Sequence, residues 1–89
     1  MAYQARNLSV IGYANGFTLW HYTTPDTAAS VDTAGYFNAA AEMLRVGDFI
    51  FANCATADAP LHGIFAVAAN ANGVVDLADL TPLGGANAD

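Results

Sequence analysis

A chain of 89 residues with 55% apolar residues, 11% charged residues and a formal net charge of −6 makes one domain, and a domain this short buries only about 60–65% of the surface its unfolded form exposes. Soluble domains typically carry about 25% charged residues, so too few charges are present here to cover a solitary surface, and association is the expected remedy. The only cations are Arg6 and Arg45, which argues against nucleic acid as a partner, because neutralising phosphates takes clustered Lys and Arg.

The longest charge-free run, Asn7 to Pro25, is broken by Asn15-Gly16, His21 and several threonines. No stretch therefore reads as the roughly 20 apolar residues of a membrane span. The opening residues have no apolar core or cleavage site of a signal peptide, which predicts a protein that is cytosolic when made. Cys54 has no cysteine partner for a disulfide or a metal site. It reads as a small apolar filler near a strand end, with a reactive or intersubunit thiol as the alternative.

In chain order, residues 1–7 are polar and aperiodic and predict an extended arm. Leu8 to Tyr13 is a short strand, and Asn15-Gly16 is a hairpin signal because both residues tolerate positive φ. The return run places Phe17, Leu19 and His21 on one face and Thr18, Trp20 and Tyr22 on the other. Both faces are largely apolar or aromatic, so the strand needs cover on both sides, from its own helix on one and from a neighbouring subunit on the other.

Thr24-Pro25 has the pattern of an N-cap and first helical residue, or of a simple turn. Asp32 or Thr33 then caps the alanine-rich run that follows, which predicts one principal helix over about 33–46. Phe37, Ala40, Ala41 and Leu44 fall at helical spacing and form its apolar stripe. Gly47 stands where a left-handed residue ends a helix, and Arg45 suits the last turn.

Asp48 to Asn53 is a buried strand, and Cys54 to His62 a small, polar surface loop. Gly63 to Asn70 is another apolar strand, joined by the second Asn-Gly pair, Asn72-Gly73, to Val74 to Ala78. Residues 82–89 form a flexible tail. These elements predict an α+β domain over 8–81, a small antiparallel or barrel-like sheet with the one principal helix.

Catalytic chemistry finds little support. His21 and His62 form no HxH or HxxxH pair, and no Cys/His cluster exists, so no metal or cofactor is expected. His21 reads as a structural histidine donating to a backbone carbonyl. Asp26 and Asp32 read as capping residues at helix starts. Cys54 with His62 has the residue types of a nucleophile and base, but no third orienting group and no oxyanion motif. The aromatic residues Tyr3, Tyr13, Trp20 and Tyr22 exceed what one small core absorbs, and are the candidate interface anchors. The alternative is that Trp20 and Tyr22 simply cover the helix.

Gly16-Phe-Thr-Leu-Trp-His-Tyr-Thr-Thr, Asp26-Thr-Ala-Ala-Ser-Val-Asp-Thr-Ala-Gly-Tyr-Phe-Asn-Ala-Ala, Leu44-Arg-Val-Gly-Asp48 and Asn72-Gly-Val-Val-Asp-Leu-Ala-Asp-Leu-Thr81 together resemble a group of small structural proteins of tailed bacteriophages and prophages. The resemblance covers roughly residues 8 to 81 and brings no catalytic residues. It implies a non-enzymatic virion protein, a capsid decoration, vertex or head-fibre component; with the low charge content and the aromatic residues, the expected partners are itself, as a trimer or pentamer, and the major capsid or other virion proteins. The alternatives are a tail or fibre base or tip domain that binds a host surface, and a small ligand-binding module or enzyme.

Overall fold

The computed structural model describes residues 3–57 and 59–84. Its frame is a six-stranded sheet in the order β1-β2-β3-β4-β5, with β6 beside β5 on the same side of β4. The strands are β1 (Leu8–Ala14), β2 (Phe17–Thr23), β3 (Phe49–Cys54), β4 (Leu61–Ala71), β5 (Val74–Leu77) and β6 (Thr81–Pro82). Both Asn-Gly pairs make the expected turns: Asn15 and Gly16 have φ of 43° and 94°, Asn72 and Gly73 φ of 56° and 79°. Positive φ at both central residues matches the turn to the right-handed twist of the strands it joins, and Ala14 pairs with Phe17, Ala71 with Val74.

The sheet corrects the antiparallel expectation at one place, since β2 and β3 run parallel, from Leu19 opposite Phe49 to Thr23 opposite Asn53. A parallel pair cannot be joined by a hairpin and needs a crossover of a dozen or more residues, which residues 24–48 supply. The sheet is also open, with β1 and β5 at its edges, and is not a closed barrel.

The crossover is not the expected principal helix over 33–46. It holds one short helix, α1 (Ala28–Val31), whose N-cap is Thr27, the hydroxyl accepting from the Ser30 N–H, with Asp32 at the other end as C-cap. Turns follow, with a 3₁₀ turn at Asn38–Ala40. The tight i to i+3 bonds from Ala40 N to Phe37 O and Ala41 N to Asn38 O replace a continuous α ladder.

Distant side chains account for this. Asn70 Nδ2 donates to the carbonyls of Ala41 (2.7 Å) and Leu44 (2.6 Å), which claims acceptors that a continuing helix would use. Gly35, at φ +97°, is incompatible with helix and sends its N–H to Val75 O at 2.9 Å. The apolar stripe nevertheless faces inward: Phe37, Ala40 and Leu44 are buried and Ala41 packs partly against them. Hydrophobic burial was encoded by these residues, and the backbone that delivers it was not α-helical. The coarse class is therefore a β-rich domain with short helical turns.

The core lies between the crossover and the inward face of the sheet: Trp20 and Tyr22 of β2, Ile50, Ala52 and Cys54 of β3, Phe65 and Val67 of β4, Val75 and Leu77 of β5. The segment expected as an extended arm folds onto this core over residues 3–7. Tyr3 stacks on Tyr22 with ring centroids 5.8 Å apart and tilts against Phe37 at 5.2 Å, and Ala5–Asn7 is a 3₁₀ turn. An aromatic ring has more to gain over an apolar edge than in water. The expected tail is tied down at its start, where Pro82 pairs with Gly63 and Leu83 N donates to His62 O at 2.9 Å. Residues 85–89 of that tail, and residues 1–2 of the arm, lie outside the described residues.

Candidate interaction face

Because side chains alternate along a strand, the residues that interleave with the core point to the opposite face of the sheet. Register aligns them in rows: Leu19, Phe49 and Ala66; His21, Phe51 and Ile64; Thr23, Asn53 and His62. Phe17 packs edge-on against Phe49 at 5.6 Å. Phe17, Leu19, Phe51 and Ile64 are half-buried and Phe49 is 43% exposed, whereas Trp20, Tyr22, Ile50, Ala52 and Phe65 on the inward face are at 7% or less. One end of this face is walled by the segment after β5, and a cavity of about 230 Å³ lies there among Phe49, Ile64, Ala66, Ala78, Asp79 and Thr81.

At the other end, a polar row crosses three strands. Asn53 donates its amide Nδ2 to His21 Nε2 at 3.1 Å and accepts from His62 Nδ1 at 2.6 Å. His21 therefore accepts a side-chain bond, because the parallel pairing puts Asn53 beside it, and among the described residues it makes no bond to a backbone carbonyl, contrary to expectation. The row contains no carboxylate to orient either imidazole, and Cys54 is on the inward face while His62 is outward, so the sheet itself separates the nucleophile and base residue types.

The candidate anchors divide. Tyr13 is 69% exposed, but Trp20 and Tyr22 are buried at 7% and 0%, so the expectation that they anchor an interface is corrected: both belong to the chain's own core. Tyr3 covers Tyr22 and Phe37. Polar groups explain why such amphipathic rings are accommodated inside. Trp20 Nε1 donates to Asp48 Oδ2 at 3.2 Å, and Tyr22 Oη bonds Tyr36 Oη at 2.9 Å while accepting from Gln4 N. A buried indole or phenol is tolerated when its polar end has such a partner.

Asp48 and Asp26 are both buried. Asp48 accepts from Thr18 N, Trp20 Nε1 and Arg45 N. Asp26 accepts at 2.6 Å from Tyr36 Oη, its own N–H bonds Thr24 Oγ1, and its Oδ1 has no partner among the described residues. Burial first, then the bonds to Asp26 and Tyr22, holds the Tyr36 phenol far above its ordinary range. The Cys54 thiol is pushed up to about 11, by burial and then by the charges of Asp26 and Asp32. A thiol so shifted and so buried is a packing group, since the thiolate is the nucleophile. Asp32 is raised by burial and by Asp79 and Asp76 nearby. Among the described residues, no group of three or more His, Cys, Asp or Glu side chains is placed to hold a metal ion, and no helix is long and apolar enough to cross a membrane.

The two edges of the sheet differ. On β5, Val75 is closed off on both counts, its N–H donating to Asn38 Oδ1 and its carbonyl accepting from Gly35 N, and β6 ends in Pro82. The other edge, β1, is exposed along Ser9 to Ala14, with Val10 at 57% and Ile11 at 54% exposure beside Tyr13. Val10 and Ile11 were not singled out by sequence reading. The signal was present in the charge-free strand, but whether a strand is at the edge is a property of the assembled sheet. Comparison with known protein families, characterised proteins and solved structures finds no match.

Proposed function

We propose that the protein is a non-enzymatic structural component of a tailed-phage virion, on the head, and that it docks on a larger virion protein through the outward face of its sheet. The observation that carries this reading is the row of Phe17, Leu19, Phe49, Phe51 and Ile64, partly exposed on the side of the sheet that the crossover leaves open. Contiguous apolar surface of this kind marks an interaction site on a soluble domain, and the low charge content of the chain supports cover by a partner. The resemblance supplies the virion, and the face supplies the mode of attachment. His21, Asn53 and His62 form a polar margin to it, as interfaces commonly have.

The test is mass spectrometry of purified particles with immunogold labelling to locate the protein, followed by binding of Phe49→Asp and Leu19→Asp proteins to particles that lack it. Labelled capsids and at least a tenfold weaker binding of both variants are expected. Label on the tail would move the protein to a fibre base or tip, and undiminished binding would take the docking role away from this face.

A further inference from the structure

We infer that β1 is a self-pairing edge, and that two copies of the chain join β1 to β1, antiparallel about a two-fold axis, into one continuous sheet. Unpaired strand edges template the addition of another strand, and proteins that remain solitary blunt them with Lys, Pro, bulges or a covering segment. This chain closes one edge with bonded groups, whereas the other has only the local irregularity between Val10 and Gly12. β5 is closed by Gly35 and Asn38, and β6 by its brevity and Pro82. β1 carries neither Lys nor Pro, and instead presents Val10, Ile11 and Tyr13 to solvent.

The occupant follows from this asymmetry. Since β1 is the open edge, copies of this chain that extend the sheet meet β1 to β1, and such an isologous contact closes as a dimer and does not propagate. Charge agrees with it: the molecule has a net charge of −6, yet no charged residue occurs from Asn7 to Pro25, so two copies approach at β1 with the least repulsion. The ladder between β1 and β2 is irregular between Val10 and Gly12. The irregularity is confined to Ile11, and among the described residues β1 pairs with no strand other than β2. Pairing also sets Val10, Ile11 and Tyr13 of one copy beside those of the other, so that cross-strand side-chain contact adds to the main-chain bonds. A dimer thus stands in place of the trimer or pentamer expected from the charge and aromatic content.

Sedimentation and light scattering over a concentration series, with hydrogen exchange at each end of the series, test the pairing. A dimer mass is expected, with those amides of Ser9 to Tyr13 that point away from β2 protected when concentrated and exchanging on dilution. Ile11→Lys should weaken the dimer at least tenfold with an unchanged circular dichroism spectrum, while Val46→Lys, at an exposed apolar residue of the crossover, should not. A concentration-independent monomer would overturn the inference, as would an oligomer whose β1 amides exchange freely or that survives Ile11→Lys. The wild-type exchange data decide the matter even if the variant fails to fold. Particle binding is read separately, so a monomer that binds capsids refutes the pairing alone, and a β1 dimer absent from particles refutes the virion reading alone.

Discussion

Trp20 donates its indole N–H to the buried carboxylate of Asp48 across 3.2 Å, which ties the middle of β2 to the residue that opens the neighbouring parallel strand. The same carboxylate accepts from Thr18 N and Arg45 N, so one side chain closes the end of the crossover onto the sheet. Asp48→Ala leaves these donors without an acceptor in a dry site, and a loss of about 3 kcal/mol or more is expected in urea unfolding. Asp48→Asn retains one acceptor oxygen and should lose less. Equal losses in the two variants would show that packing, and not hydrogen bonding, is the role of Asp48.

The second hairpin depends on backbone that a branched side chain resists. Gly73 has φ +79°, and Gly73→Val should destabilise by more than about 1 kcal/mol. Gly63 tests a different constraint: a Cβ there meets the Thr81 carbonyl and comes within 2.7 Å of Leu80 Cγ. Gly63→Ala should cost about 1–3 kcal/mol by overpacking, with faster amide exchange at Leu83, whose N–H bonds the adjacent His62 carbonyl. Wild-type exchange at Leu83 would show that the strand yields elsewhere.

Leu44 is 1% exposed, and Leu44→Ala should lose about 2–5 kcal/mol. Because Leu44 sits in a turn and not in a helix, this loss should come with a far-UV spectrum dominated by sheet. Asn70→Ala, which strips the donor from the Ala41 and Leu44 carbonyls, should cost about 1–3 kcal/mol. A strongly helical spectrum in the wild-type protein would contradict the crossover described above.

Alkaline pH should unfold the protein through its buried thiol and phenol. The Cys54 pKa is raised from an ordinary 9.0 to about 11, so the stability linked to it is complete below pH 9 and is lost as pH rises through about 11, because the unfolded chain ionises first. Tyr36, also raised, adds to the loss above pH 10. Thermal melting between pH 8 and 11.5 should show the decline, and Cys54→Ala should flatten its first part. Identical pH profiles for the two proteins would remove Cys54 as a source.

How much of this was legible in the sequence depends on the range of the interaction concerned. The two Asn-Gly turns were readable because their positive φ is a local property of four or five residues, and the strands they join followed from short β-prone runs on either side. The inward stripe of Phe37, Ala40 and Leu44 was readable as hydrophobic spacing, and the apolar character of both faces of β2 as its run of apolar and aromatic residues. The conformation of the crossover was not, because it is decided by Asn70 and Val75, which reach it from the other half of the chain. The burial of Trp20 and Tyr22 likewise hinged on polar partners, Asp48, which the parallel placement of β3 beside β2 brings within reach, and Tyr36, which the crossover folds over the sheet. The sequence by itself determined where the main strands and the two Asn-Gly turns fall and which residues seek burial; the tertiary structure decided the backbone of the crossover, which strands are neighbours, which edge stays open and which aromatic rings find a hydrogen-bonding partner inside, since each of those rests on contacts between residues far apart in the chain.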